Sequence, residues 1–358
     1  MDFNPSRLTF VRKLRGFTMR SLAQKVGMTE RALSQLENGH SQPRPATLTL
    51  IADHLKIPAA FFYADDIDCI TADSASFRAL TKMSIKNRDI ALSQGSVAIQ
   101  INKWFEEKFR LPDQQLPSEL GYKEGRNSFD SPEGAAEALR CYWELAQLPI
   151  PNMFHLLESK GIRIFSLSDL ATEIDAFSFW HDSVPYIMIN AKKTSERHRF
   201  DLAHELGHLI LHQHERLIGR DIEKEANGFA SAFLMPRNEL CMTFRRSLTI
   251  PAMLQQKQKW GVSLAALNYR LHVLGLSTDW IYRSICREIA VKIGRDKESD
   301  PIAHERSLLI EKIMIAFGNN NLKMESLSEG LRLPPEEISR YLFEMQPIKT
   351  RGHLKIIK

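Results

Sequence analysis

Apolar positions early in the chain recur at intervals of three and four, the spacing of short amphipathic helices. Leu22, Ala23 and Val26 form one such stripe, Leu33 and Leu36 a second, and Leu48, Ile51, Ala52 and Leu55 a third. Thr18 and Thr29 stand where a hydroxyl caps a helix start, Gly27 where a tight turn needs positive φ, and Pro45 near a helix start. Farther on, Ile90, Val97, Ile101, Trp104 and Phe105 predict a long amphipathic helix across 84–110, weakly interrupted at Gly95. Residues 68–80 read as a connector, and the Pro-, Gly- and polar-rich 111–134 as a linker or loop. Past Ser131 the texture changes: "GAAEALRCYWEL" and "PNMFHLLESKGI" read as helices, and short strands follow at 162–167, 176–180 and 184–190. A helix carrying "LAHELGHLILHQH" comes next, then one over 221–236 with Ala226, Phe229, Ala230 and Phe233 inward. Residues 259–276 read as two helices packed beside that core, and 325–343 as another pair with acids on its exposed face. Strands grouped before helices give α+β order in the middle of the chain.

At 358 residues the chain is too long for one small core, so two or three domains are expected. No apolar run is long enough for a transmembrane span, and "MDFNPSRLTF" lacks the apolar core of a secretory signal. The four cysteines, Cys69, Cys141, Cys241 and Cys286, have no paired spacing, which predicts reduced, mostly buried thiols in a cytoplasmic protein. A net charge of +5 selects no partner by itself, but its distribution does. Residues 1–25 carry Arg7, Arg12, Lys13, Arg15, Arg20 and Lys25 against Asp2 alone, an electrostatic footprint for nucleic acid.

"LAQKVGMT" followed by "LSQLENG" resembles the XRE (phage-repressor-like) helix-turn-helix family over residues 6–62. The resemblance implies that the second helix of the pair enters the major groove of double-stranded operator DNA. It makes Glu30, Arg31, Ser34 and Gln35 the base-edge candidates, and Arg20, Thr29 and Asn38 complete the implied DNA-contacting set. Gln can pair bidentately with adenine, Arg with guanine, and Glu can accept from cytosine. One departure is Met19, where the family often has a backbone-anchoring Gln; that contact is lost or passes to Arg20. Such operators are commonly two-fold, so a homodimer is one expected assembly. The 84–110 helix could pair with a second copy or pack on its own chain.

His204 and His208 lie four residues apart, so a helix projects both toward one ion, with Glu205 beside them as general base rather than ligand. This is the HExxH arrangement of zinc peptidases. The third ligand is open on spacing. His212 is eight residues from His204, roughly 12 Å along a straight helix and too far to share its ion. His214 has the metzincin spacing, but position 211 holds Leu211 instead of the required glycine. Glu223 and Glu225 are two apart on the following helix and face different ways, so only one can serve.

"SERHRFDLAHELGHLILH" followed by "EKEANGFASAFLMP" resembles the ImmA/IrrE metallopeptidases over residues 131–287. The resemblance implies Zn2+ held by His204, His208 and Glu223, catalysis by Glu205, and Asn227 steadying a ligand histidine from behind. It also likens "VPYIMIN" to a strand that could hold an extended substrate by main-chain pairing. For an oxyanion-stabilising group His181, Tyr186 and His198 are available, and spacing singles out none. The expected fold is multidomain: an all-α helix-turn-helix domain (1–66), a helical connector and linker (67–130), an α+β gluzincin-like metallopeptidase domain with a small sheet (131–287) and a helical C-terminal region (288–358). The implied function is a DNA-binding regulator whose zinc endopeptidase cleaves a repressor-like protein in a stress or phage response, away from membranes. Two other readings stay open: a regulator whose metal site is structural or sensory without proteolysis, and an antitoxin-like protein-binding regulator.

Overall fold

The computed structural model describes residues 2–70, 84–117, 122–123, 126–127, 131–171, 173–212, 220–245, 248–292, 300–320 and 322–348. His214 and parts of the segments 68–80 and 111–134 lie outside the described residues. Contacts divide the chain into two compact units, Met1–Asp113 with Arg163–Asn190 and Ser307–Lys358, and Gln114–Ile162 with Ala191–Arg306. These limits do not coincide with the sequence segments at 66/67, 130/131 and 287/288.

The first unit opens with α1 (Pro5–Leu14), α2 (Met19–Lys25), α3 (Glu30–Glu37) and α4 (Pro45–Leu55). Thr18 Oγ1 accepts from the Ser21 N–H at 3.0 Å and Thr29 Oγ1 from that of Ala32 at 3.2 Å, so both predicted caps form. Gly27 turns the chain between them at φ 65°. All three predicted apolar stripes are buried. Glu37 adds what the apolar pattern could not show. Its carboxylate takes a paired hydrogen bond from Arg12, at 2.6 and 2.8 Å, and one from Thr9 Oγ1 at 3.0 Å, fixing α3 on α1.

The long helix is α5, Ile85–Glu106, and it runs through Gly95 without interruption. It packs on its own chain, and its middle is buried on more than one side, so the amphipathic expectation fails there. The polar positions 94, 96 and 102 go inside because each finds a distant partner. Gln94 exchanges hydrogen bonds with Ser168 (2.7 and 2.9 Å), Ser96 Oγ accepts from the Ile70 N–H (3.0 Å), and Asn102 Nδ2 donates to the Tyr186 hydroxyl (3.0 Å). Gly95 is small because Ile70 and Phe179 press against its backbone.

Strands β1 (Arg163–Ser166), β2 (Ala176–His181) and β3 (Val184–Ile189) form one three-stranded sheet in the order β1-β3-β2. β2 and β3 make a hairpin through Asp182 and Ser183, both at positive φ, and β1 joins β3 in parallel. The strand "VPYIMIN" is therefore central. Its main-chain groups are taken on both sides over Tyr186–Ile189, which removes it as the strand that pairs with a substrate. Helices α14, α15 and α16 (defined by Leu308–Asn319, Met324–Leu331 and Pro335–Tyr341) close the unit. Phe317 meets Trp104 and Phe105 of α5. Glu325 and Glu329 are exposed as expected, but Glu337 is buried in a two-armed ion pair with Arg15, the C-cap of α1.

The second unit contains α6 (Pro132–Tyr142), α7 (Met153–Ser159), α8 (Ser195–Leu211), α9 (Arg220–Leu234), α10 (Arg237–Thr243), α11 (Ile250–Trp260), α12 (Leu264–Val273) and α13 (Asp279–Lys292). Ala226, Phe229, Ala230 and Phe233 of α9 are buried, as the spacing predicts. α8 packs on α9 at Gly207, whose backbone lies against Phe229 and Ala226. α11 and α12 pack together, with Leu264, Leu267 and Leu271 buried. Two buried ion pairs hold the first turns of α8: Lys257 with Glu196 at 2.9 Å, and Arg199 with Glu305. The cysteine expectation needs correction. All four thiols are free, but Cys69, Cys141 and Cys286 are exposed and Cys241 is half-buried.

Candidate metal centre and nucleic-acid interface

Thr194 caps α8 by accepting from the Arg197 N–H, and Leu202, Ala203, Leu206, Leu209 and Ile210 fix its inner side. The remaining face carries a histidine row. His204 Nε2 and His208 Nε2 lie 3.1 Å apart, with Glu223 of α9 reaching to 3.9 Å from the first and 3.6 Å from the second. One donor atom from each of these three residues falls within 4.8 Å of the others. Glu205, next to His204, is buried on the same helix.

Glu223 and Glu225 both turn to α8, rather than facing different ways, because a glutamate side chain is long enough to reach around the helix surface. They meet different histidines. Glu225 Oε2 lies 3.0 Å from His212 Nε2, while Glu223 faces His204 and His208. His212 Nδ1 is 3.1 Å from His208 Nδ1, and Asn227 Oδ1 is 3.1 Å from His204 Nδ1.

For neutral rings these partners fix the tautomers. An amide oxygen can only accept, so His204 donates from Nδ1 and keeps a lone pair on Nε2. Glu225 accepts from His212 Nε2–H, which leaves His212 Nδ1 to accept from His208 Nδ1–H and His208 Nε2 bare. Two bare ring nitrogens at 3.1 Å beside a carboxylate repel unless a cation lies among them. Burial pushes His204 below its ordinary value even against the carboxylates of Glu205 and Glu223, which disfavours a proton on that ring. Burial likewise pushes His212 down to about 4, despite its opposing hydrogen bond to Glu225. Two imidazole nitrogens and one carboxylate are the donor set of a three-ligand zinc site with an open fourth position, so the residues fit the ion.

A second group of potential ligands, Asp68, His181 and Asp182, also comes together among the described residues. Its cation is already supplied. Lys103 Nζ lies 2.6 Å from Asp68 and 3.7 Å from Asp182, and His181 Nε2 lies 2.9 and 3.2 Å from the same carboxylates. Of the oxyanion candidates, His181 is thus held by two acids and the Tyr186 hydroxyl by Asn102, while His198 is buried against Phe154 and His304.

On α3 the expected DNA-facing residues are exposed except Ser34, which is half-buried. Glu30, Arg31 and Gln35 are exposed, and Asn38 donates to Ser34, both to its carbonyl (2.8 Å) and its Oγ (3.1 Å). Thr29 is exposed but spends its oxygen on the helix cap. Arg20 is exposed and 3.9 Å from Glu30, whereas Met19 packs against the core. Sequence reasoning missed Arg12–Glu37 and His212–Glu225. The first had a signal in Glu37, a charge four residues after the buried Leu33; the second depends on a contact between helices.

Residues 10–62 match the family model described as helix-turn-helix, and residues 157–272 match the one described as IrrE N-terminal-like domain. The chain therefore carries an XRE-type helix-turn-helix region and an ImmA/IrrE region, the latter from a family of metallopeptidases. No curated protein matches the chain in direct comparison. Among the described residues, no helix is long and apolar enough to cross a membrane.

Proposed function

We propose that this DNA-binding regulator is also a zinc-dependent endopeptidase whose substrate is a repressor-like protein. The observation that carries the reading is the meeting of bare His204 Nε2, bare His208 Nε2 and the Glu223 carboxylate, with each histidine's other nitrogen already committed. A zinc ion held there would supply Lewis-acid polarisation of a peptide carbonyl and of water. Glu205 is the residue that would take the proton from the attacking water and return it to the leaving amine. Asn227 and His212 hold the ligand rings in orientation, and Gly207 lets α9 approach closely enough to deliver Glu223. The α3 surface would place this chemistry at an operator, where cleavage of a repressor-like protein releases genes under stress or phage induction.

The test is incubation of the zinc-loaded full chain with repressor-like proteins encoded beside it. Wild type should cleave one of them, and Glu205→Gln should keep its zinc while losing typically about 10²–10⁴-fold in rate. Equal cleavage by both would remove Glu205 from the chemistry. Bound zinc with no cleavage would make the site structural or sensory, and neither zinc nor cleavage would favour a protein-binding regulator.

A further inference from the structure

The histidine row does not end at the ligands. His212 is the C-cap residue of α8, four positions after His208, with its side chain 7 % exposed. Eight residues from His204, it has no place in the same ion's ligand set, and the structure gives its two nitrogens other work. Nδ1 meets His208 Nδ1 and Nε2 meets Glu225 Oε2, at 3.1 and 3.0 Å. A carboxylate can only accept, so with His212 as a neutral ring this chain of contacts has one proton arrangement: Glu225 accepts from His212, and His212 accepts from His208. The His208 ring is then held in the tautomer that leaves Nε2 free, aimed at His204 Nε2 and Glu223.

We infer that His212 and Glu225 form a positioning relay for the metal ligand His208, matching on one side of the site what Asn227 does for His204 on the other. The inference rests on the reading of His204, His208 and Glu223 as ligands. A histidine interposed between ligand and carboxylate differs from a carboxylate acting directly. It spreads the negative charge away from the ion while still raising the basicity of the ligand ring, and it ties the end of α8 to the first turns of α9. Glu225 thereby gains a role distinct from that of Glu223, two residues before it on the same helix. The plainer alternative is an ion pair that staples two helices and has no bearing on the metal.

The experiment measures zinc affinity of the full chain by competition with a chromophoric chelator, alongside the thermal midpoint of the metal-free protein. His212→Phe and Glu225→Ala should each lower affinity about 10–100-fold, as for other outer partners of metal ligands, while still binding one zinc at saturation. The double variant should lose no more than either single, because both act through one chain of hydrogen bonds. His212→Gln should recover most of the loss, since its amide oxygen can accept from His208 and its amide nitrogen can donate to Glu225. Wild-type affinity in both single variants overturns the relay, and so does an affinity loss that only follows a lowered metal-free midpoint. If His212→Phe does not fold, Glu225→Ala carries the test, its carboxylate being partly exposed. Failure of the underlying reading looks different: wild type without zinc, or His204→Ala with unchanged zinc.

Discussion

Gly207 stands at the closest approach of α8 to α9, and replacing it by alanine should separate the two ligand-bearing helices. A Cβ there would lie 3.1 Å from Phe229 Cδ1 and 3.3 Å from both Cα and O of Ala226. Ordinary carbon contacts begin near 3.5 Å, so roughly 0.2–0.4 Å of adjustment is required. Ala226 is fully buried backbone and cannot turn away as a flexible side chain would. Overpacking of this kind costs about 1–3 kcal/mol, offset by about 1 kcal/mol of helix propensity gained on replacing glycine, leaving a net loss of about 0–2 kcal/mol. The metal site should feel it more sharply. Ligand positions tolerate roughly 0.2 Å, so a shift of this size in Glu223 relative to His204 and His208 should weaken zinc at least about tenfold. Gly228, on the same helix α9, is the control. A Cβ there would meet Pro132 at 3.5 and 3.8 Å, ordinary contact, so Gly228→Ala should stabilise by about 0.5–1 kcal/mol and leave zinc alone. Calorimetric melting of the metal-free full chain and chelator competition for zinc read both effects. Opposite behaviour is the expectation; a Gly207→Ala variant as stable and zinc-tight as Gly228→Ala would show that close approach at 207 does not set the site.

Other outcomes follow from the same structure. Gln35→Ala should cost about 1–3 kcal/mol on the preferred operator and little on random DNA in a binding titration, while wild-type affinity falls steeply with salt; equal losses on both DNAs would remove Gln35 from base reading. Burial would raise the Glu196 carboxyl, but its hydrogen bonds from Lys257 and from backbone N–H groups prevail and hold it below the usual carboxylate range. Its stabilising contribution is therefore present above the ordinary carboxylate value and is lost as pH falls through the depressed one. Glu196→Gln takes the counter-charge from the fully buried Lys257 and should cost about 3–5 kcal/mol near neutral pH, with the gap to wild type closing in acid; a gap constant with pH in melting experiments would contradict this.

What the chain reveals by reading is what lies within a few residues. The caps at Thr18 and Thr29, the turn at Gly27 and the spacing of His204 to His208 are local, and each forms where expected. The middle of α5 misleads because burial of a polar residue is decided by its partner, and Gln94 finds its partner at Ser168 and Asn102 at Tyr186. The strand over Val184–Ile189 was legible as a strand but not as the central one, since strand order is a property of the assembled sheet. Glu337 reads as surface charge until Arg15 is seen against it. The choice between Glu223 and Glu225 needed the packing of α8 on α9, which assigns each a different histidine.

The most direct test of the central claim is the zinc content of the purified full chain, wild type against Glu223→Ala, measured by mass spectrometry after exhaustive dialysis at neutral pH. The account predicts about one zinc per wild-type chain and a large loss in the variant, which leaves the ion with two histidine ligands. A wild-type chain without zinc, or a variant that holds as much as wild type, would contradict it.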